Sequence, residues 1–378
     1  MGTNPSASST SGVLMTDFRM PLFEVPFPVE CNPHLERASR AMWRWIDAYA
    51  LAPTDKARIR MRRTRADLSG AYVWPRADLD TLITGLEWLA LTFRIDDQLD
   101  EDDLTERLSA RVAAVDELCD VLRGMPVPAK PPVARALGDL WSKTSRGRPT
   151  HWRDAFLRHF RAFLRSYATE ARLSAEGAVP DLDAYLGWRM YSVGMPWLWD
   201  LDELRLPVLL PDSVRTCGAV NRLRRAGALH IAMVNDVFSV RRETLVGYQY
   251  NAVTILRNAE NCSLQEAVDQ VAALAAGHLN TVVAARQELR EELAKQAVPP
   301  LVHAAALDYA SNIAANLSGQ LVWHSSVQRY AVDDLHPADR SASRPLVANL
   351  ASLDVTLSEG QITELDSLTA PSLDYPTA

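Results

Sequence analysis

Apolar residues recur at three- and four-residue intervals along most of this chain of 378 residues, a period that gathers them on one face of an α-helix. The pattern runs through residues 33–51, 78–95, 110–122, 133–142, 152–173, 181–193, 214–243, 264–294 and 300–323. Breakers such as Gly124-Met125-Pro126-Val127-Pro128 and Gly177-Ala178-Val179-Pro180 separate these runs, and no alternating strand pattern of useful length survives between them. About ten long amphipathic helices with short connections must bury their faces against one another. The expectation is an all-α fold, a single large antiparallel helical bundle, with no linker before about residue 331 and no internal repeat.

With 48% hydrophobic and 23% charged residues the chain can bury a large core. Residues 1–20 are small and polar, a composition that predicts a disordered arm. A net charge of -7 and a pI near 5.7 argue against a nucleic-acid partner and leave small molecules as the expected ligands. Cys31, Cys119, Cys217 and Cys262 are far apart and form no CxxC pair, which points away from zinc or a disulfide framework and toward a reducing cytoplasm. No run of about 18 apolar residues occurs, so no membrane span is expected. The first residues lack a basic start followed by an apolar block, so no signal peptide is expected either.

Two acidic clusters carry the chemistry. The first, Asp96-Asp97-Gln98-Leu99-Asp100-Glu101, follows the apolar residues 82–95. On a helix Asp96 and Asp100 share a face one turn apart while Asp97 points aside, so a buried helix emerges into carboxylates, as at the mouth of a cavity. In the second, Asn235, Ser239 and Glu243 fall at i, i+4 and i+8, and one face offers an amide oxygen, a hydroxyl and a carboxylate. Hard cations such as Mg²⁺ take oxygen ligands of this kind together with substrate phosphate. The bland alternatives are a solvated acidic helix end and a polar stripe. His230, five residues before Asn235, reads as a satisfied core histidine.

A chain bearing DDxxD and NDxxSxxxE on two helices resembles the class I terpene synthases of bacteria. The resemblance starts at Phe23-Glu24-Val25-Pro26-Phe27-Pro28 and Asn32-Pro33-His34 and continues to Arg329-Tyr330, making 21–330 a terpene synthase α domain with its active-site cavity at one end. Arg189 lies 46 residues before Asn235, the offset of the family's diphosphate-sensing arginine. Arg242 matches the basic residue of the second motif that touches diphosphate, and Arg329-Tyr330 matches the family's late Arg-Tyr pair. Guanidinium forks bind such oxygens bidentately. Gly194 and Pro196 would break the helix after Arg189 and expose carbonyls. Ser192 stands where many relatives have an Asp linking sensor to reaction centre, and Val193 holds the position whose carbonyl acts as effector. Arg94 replaces a usual apolar residue.

The resemblance implies three Mg²⁺ ions, held by Asp96 on one side and by Asn235, Ser239 and Glu243 on the other, with Asp97 and Asp100 orienting arginines or water. It implies ionisation and cyclisation of an isoprenyl diphosphate, a carbon–oxygen lyase reaction, with farnesyl diphosphate giving a sesquiterpene as the leading expectation. A diterpene synthase acting on geranylgeranyl diphosphate is the alternative, and a non-catalytic helical scaffold is the reading from a different class. A trans-prenyltransferase would carry a second DDxxD in place of the Asn/Ser/Glu triad. Phe93, Trp74, Trp197 and Trp323 are candidates to line the pocket, where ring faces stabilise cations by about 0.5–2 kcal/mol. Homodimerisation is left open. Residues 346–375 look like the C-terminal end of aldo-keto reductases without that family's catalytic residues, so 331–378 is read as a helical appendage of unknown function.

Overall fold

A computed structural model of the protein describes residues 18–101, 108–125, 131–296 and 298–330, the side chains of 98–101 excepted. The described residues are helical and contain no strand. In order they form α1 (Leu35–Ala48), α2 (Asp55–Thr64), α3 (Ala66–Val73), α4 (Leu79–Glu101), α5 (Leu108–Leu122), α6 (Pro132–Ser145) and α7 (Thr150–Glu176). There follow α8 (Leu182–Ser192), α9 (Met195–Asp202), the single turn α10 (Asp212–Arg215), α11 (Gly218–Leu245), α12 (Ala252–Glu260), α13 (Leu264–Gln296) and α14 (Pro300–Ser326). A 3₁₀ turn, Gln328–Tyr330, closes the described chain.

The nine periodic stretches all become helix, but α2, α3, α9 and α12 carry no long apolar repeat and were not expected. The sequence α2, Asp-Lys-Ala-Arg-Ile-Arg-Met-Arg-Arg-Thr, is mostly charged; its start is fixed instead by Thr54, whose hydroxyl accepts from the Ala57 N–H. Within the stretch expected to be a disordered arm up to about residue 20, Phe18 already packs: the Arg241 guanidinium lies 5.1 Å over its ring, and the Arg19 N–H donates to Gln265. Residues 331–378, with the expected appendage, lie outside the described residues.

Side-chain pairings fix how the helices run. From Ala219 through Arg222 to His230, the partners of α11 on α13 step backward from Glu292 through Glu288 to Ala275, so these two helices are antiparallel. Between α11 and α14 the pairs Arg224–Tyr309 and Asn235–His324 advance together, so they run parallel. Along α14, Asn312, Asn316 and Gln320 meet Val73, Tyr72 and Ser69 in turn, which sets α3 antiparallel to it. Consequently α11 and α14 finish at the same end of the bundle.

Most of the tryptophan goes into helix packing. Trp74, Trp88, Trp152, Trp197 and Trp199 are all but fully buried. Four of the five indole N–H groups find acceptors: Trp74 on the Leu198 carbonyl, Trp88 on Thr144, Trp152 on the Asp200 carbonyl and Trp199 on Asn316. Trp197 sits among Trp88, Phe156, Phe160 and Phe163, with centroids 5.3–6.5 Å away. Beneath the helix break, buried Asp200 accepts from Arg215, Arg224 and His159, and Arg224 also donates to the Pro196 carbonyl at 2.6 Å. Burial works against the Asp200 charge, but Arg224 and His159 outweigh it and hold the carboxyl well below its usual range. Arg224 thereby ties the first turn of α9 to α11.

Trp74 caps α3 and lays its ring across α4 at Gly85, where a β-carbon would lie 2.4–2.8 Å from three indole atoms. Only glycine permits that approach. Gly85→Ala is expected to lower stability by about 1–3 kcal/mol through forced repacking, measured as a shift in urea midpoint at constant slope; an unchanged midpoint would contradict this account of the α3–α4 contact.

Candidate functional site

The helix ends that carry the two sequence motifs meet. Asp96 lies near the C-terminus of α4, Arg189 in the last turn of α8, Asn235, Ser239 and Glu243 in the final third of α11, and His324 in the last turn of α14. A helix C-terminus carries a partial negative charge, so these converging ends favour cations.

On the α11 wall, Arg189 reaches across from α8. Its Nη2 donates to Asn235 Oδ1 at 2.6 Å and to Asp236 Oδ1 at 2.8 Å, its Nε to the same Asp236 oxygen at 3.1 Å, and its Nη1 to Ser192 Oγ at 3.0 Å. Burial opposes the guanidinium charge, yet Asp236 more than offsets this and raises the Arg189 pKa. The other Asp236 oxygen accepts from the Tyr185 hydroxyl at 2.7 Å and from the Ala252 N–H at 2.9 Å. Burial, followed by that anionic neighbour, drives the Tyr185 phenol well above its normal pKa, so it stays a donor.

Ser239 and Glu243 converge on a third group, Asn251, which caps α12. Its amide donates to Glu243 Oε2 at 2.7 Å, to Ser239 Oγ at 3.4 Å and to the Asp236 carbonyl at 2.8 Å. Glu243 keeps partial solvent access, yet the atoms crowding its carboxyl, with Asp236 next, push its pKa up to about 7. A crowded carboxyl with a raised pKa, beside a hydroxyl and an amide oxygen, fits a divalent ion that takes oxygen ligands. Glu170 on α7 shares the condition, raised to about 7 by burial against a hydrogen bond from Tyr248.

On the α4 wall, Asp96 accepts from the Tyr167 hydroxyl at 3.0 Å and from Arg329 Nη2 at 2.5 Å. Asp97 is buried and lies 3.9 Å from the Arg60 guanidinium. Asp100 is on α4, with its side chain outside the described residues. Arg329 also donates to Thr64 and lies 5.0 Å over the Phe93 ring, and Phe93 faces Trp323 at 6.2 Å. Its neighbour Tyr330 accepts from the Asn235 amide at 2.9 Å, while Arg242 donates to the Arg329 carbonyl at 2.9 Å. The dipeptide Arg329-Tyr330 therefore touches both walls at once, which places the two acidic clusters on one site.

Val193 caps α8, and Gly194 takes φ +84°, a conformation favourable only to glycine, before α9 starts. Pro196 has no N–H for the Ser192 carbonyl, so the break leaves backbone oxygen uncommitted beside Arg189. Trp323 is nearly buried with its indole N–H on the Thr64 carbonyl. Of the four aromatic candidates, Phe93 and Trp323 stand at the arginine cluster, Trp197 sits in the aromatic core, and Trp74 is occupied in packing α3 onto α4. Asp236, Tyr167, Asn251, Glu170 and His324 were not anticipated. Asp236 stands inside the second motif and Asn251 immediately before a helical run, whereas Tyr167, Glu170 and His324 carry no comparable local signal.

Glu243 has a raised folded-state pKa, so the sign of its pH effect is set: the unfolded chain ionises it near pH 4.5 and the folded chain near 7. Stability of the metal-free protein therefore falls as pH rises across that window. Thermal denaturation in EDTA should show wild type losing ground to Glu243→Gln between pH 5 and 8; parallel curves would exclude the effect.

The family model described as terpene synthase family 2, C-terminal metal binding, matches residues 87–280. The chain is 69% identical over 336 residues to (2Z,6E)-hedycaryol synthase of Kitasatospora setae, covering 89% of this chain and 99% of that protein. Pristinol synthase of Streptomyces pristinaespiralis is 28% identical over 332 residues, 86% of this chain and 89% of that one. A solved structure of hedycaryol synthase in complex with nerolidol superposes with a TM-score of 0.74 at 66% identity, covering 81% of this chain and all of that one. The chain belongs to the terpene synthase family and is a metal-binding lyase.

Proposed function

We propose that the protein ionises and cyclises farnesyl diphosphate and releases a sesquiterpene alcohol together with diphosphate. The observation that carries this reading is the bridge made by Arg329 and Tyr330 between Asp96 and Asn235, because a diphosphate seated there would meet both oxygen-ligand walls and three arginines. The choice of a C15 substrate over geranylgeranyl diphosphate, and of an alcohol product, is supported by the 69% identity to a hedycaryol synthase. The non-catalytic scaffold has no observation in its favour.

In this reading Asp96 on one side and Asn235, Ser239 and Glu243 on the other would hold Mg²⁺, three ions in all, with Asp97 and Asp100 supporting the first wall. Bound metal supplies Lewis-acid stabilisation of the charge that builds on the leaving diphosphate. Arg189, Arg242 and Arg329 bind the same oxygens through guanidinium forks, and Tyr330 offers its hydroxyl, so the developing charge meets donors already in place. Ser192, hydrogen-bonded to Arg189, and Val193 at the helix break link diphosphate capture to the carbonyls that face the substrate's allylic end. Phe93 and Trp323, which stand at the arginine cluster, would offer ring faces to the carbocation and exclude water until closure is complete, with Trp197 packing the aromatic core. Trp74 contributes by holding α4, and so Asp96, in register. Capture of the cyclised cation by one water forms the C–O bond, and the released proton passes to diphosphate.

Separate incubations with Mg²⁺ and geranyl, farnesyl or geranylgeranyl diphosphate, analysed by mass spectrometry, should give the major product from farnesyl diphosphate. That product should be an alcohol that takes ¹⁸O from labelled water. Asn235→Ala should lose at least about a hundredfold in rate, consistent with one preorganised electrostatic group. A dominant C20 product would overturn the substrate, and a full-rate Asn235→Ala the site.

A further inference from the structure

We propose that His324 is a positioning residue that turns the Asn235 amide so that its oxygen, and not its nitrogen, faces the cation site. The inference rests on the reading of Asn235 as a metal ligand. A carboxylate ligand has two equivalent oxygens and needs no such control. An amide has one acceptor and one donor end, and the wrong end repels a cation.

The direction of each hydrogen bond follows from what its partners can do. His324 Nδ1 lies 2.7 Å from the carbonyl of Gln320, one turn earlier on α14. A carbonyl only accepts, so Nδ1 carries the hydrogen, and in the neutral ring Nε2 is left as an acceptor. Asn235 Nδ2 is 3.0 Å from that Nε2 and donates to it. The second amide hydrogen goes to the Tyr330 hydroxyl at 2.9 Å. With both hydrogens committed on the α14 side, Oδ1 is presented on the opposite side, where Arg189 Nη2 meets it at 2.6 Å.

The imidazole is itself held firmly. His324 is 3% exposed, stacks on Tyr330 at 5.5 Å with 13° between planes, and packs edge-on to Trp323 at 4.8 Å and against Phe238 at 5.7 Å. A carbonyl at the end of α14 thus selects the tautomer, and the tautomer selects the face of the ligand amide. Partners of this kind behind metal ligands change metal affinity by about 10–100-fold when removed.

Two polar variants separate the roles. His324→Asn can keep the bond to Gln320 but is too short to accept from Asn235, whereas His324→Gln places an amide oxygen where Nε2 stood. Inorganic diphosphate is added to each protein, Mg²⁺ is titrated, and the metal concentration giving half of the thermal stabilisation is read. His324→Asn should need about tenfold more Mg²⁺ than wild type, and His324→Gln should stay within about threefold. Equal requirements in the two variants, at whatever level, overturn the orienting role. Asn235→Ala tests the foundation separately: an unchanged Mg²⁺ requirement there removes Asn235 as a ligand, while a raised one alongside equal His324 variants removes only the histidine's part. Independently of any variant, the ¹⁵N-histidine spectrum of the metal-free protein should show His324 protonated on Nδ1; protonation on Nε2 overturns the proposal.

Discussion

Asp236 is the point on which the α11 wall depends. It is 1% exposed and spends both oxygens on three partners from two other helices: the Arg189 guanidinium and Tyr185 hydroxyl of α8, and the first N–H of α12. A buried ion pair of this kind adds little net stability because desolvation cancels much of the attraction, but removing one partner strands a charge at a cost of about 3–5 kcal/mol. Its effect is therefore geometric. The same aspartate that fastens α8 to α11 aims Arg189 at Asn235, and the start of α12 brings Asn251 over Ser239 and Glu243.

Charge balance explains why the arrangement is suited to exchange. Glu170 and Glu243 stand with Asp96 at converging helix ends, and burial raises the carboxyl pKa values of the two glutamates to about 7. The arginines partly compensate by bonding the very oxygens that would hold metal: Arg329 on Asp96 and Arg189 on Asn235. Guanidinium groups match phosphate as well as carboxylate. In the proposed reading, diphosphate arriving with divalent cations would let Arg329 and Arg189 trade Asp96 and Asn235 for phosphate oxygens and free those side chains to hold the metal.

The helical architecture and the two motif-bearing helices were legible from period alone, since α4 and α11 are long and strongly patterned. What escaped was held by single contacts. The helix α2 is mostly charged, with Met61 alone of its apolar residues buried, and is fixed by a Thr54 cap and by Arg58 and Arg62 over Trp43, at 5.0 and 5.5 Å. Asp236 stood in plain view beside Asn235, but its partners lie 47 and 51 residues away on α8, and spacing along one helix says nothing of them. Trp74 shows the converse: a tryptophan in the loop before the first-motif helix suggested a pocket wall, whereas its ring packs against Gly85, eleven residues on. Residues that hold other residues in place are set by three-dimensional partners and leave little trace in a linear pattern.

The most direct test of the claim that Asp236 aims Arg189, the arginine proposed to bind diphosphate, is calorimetric titration of inorganic diphosphate, with saturating Mg²⁺, into wild type and Asp236→Asn. The substitution keeps size and hydrogen bonding but removes the charge that orients Arg189. Binding should weaken by about 10–100-fold, the range seen when the orienting partner of a site residue is lost, with the fold intact by circular dichroism. Unchanged diphosphate affinity in Asp236→Asn would contradict the account.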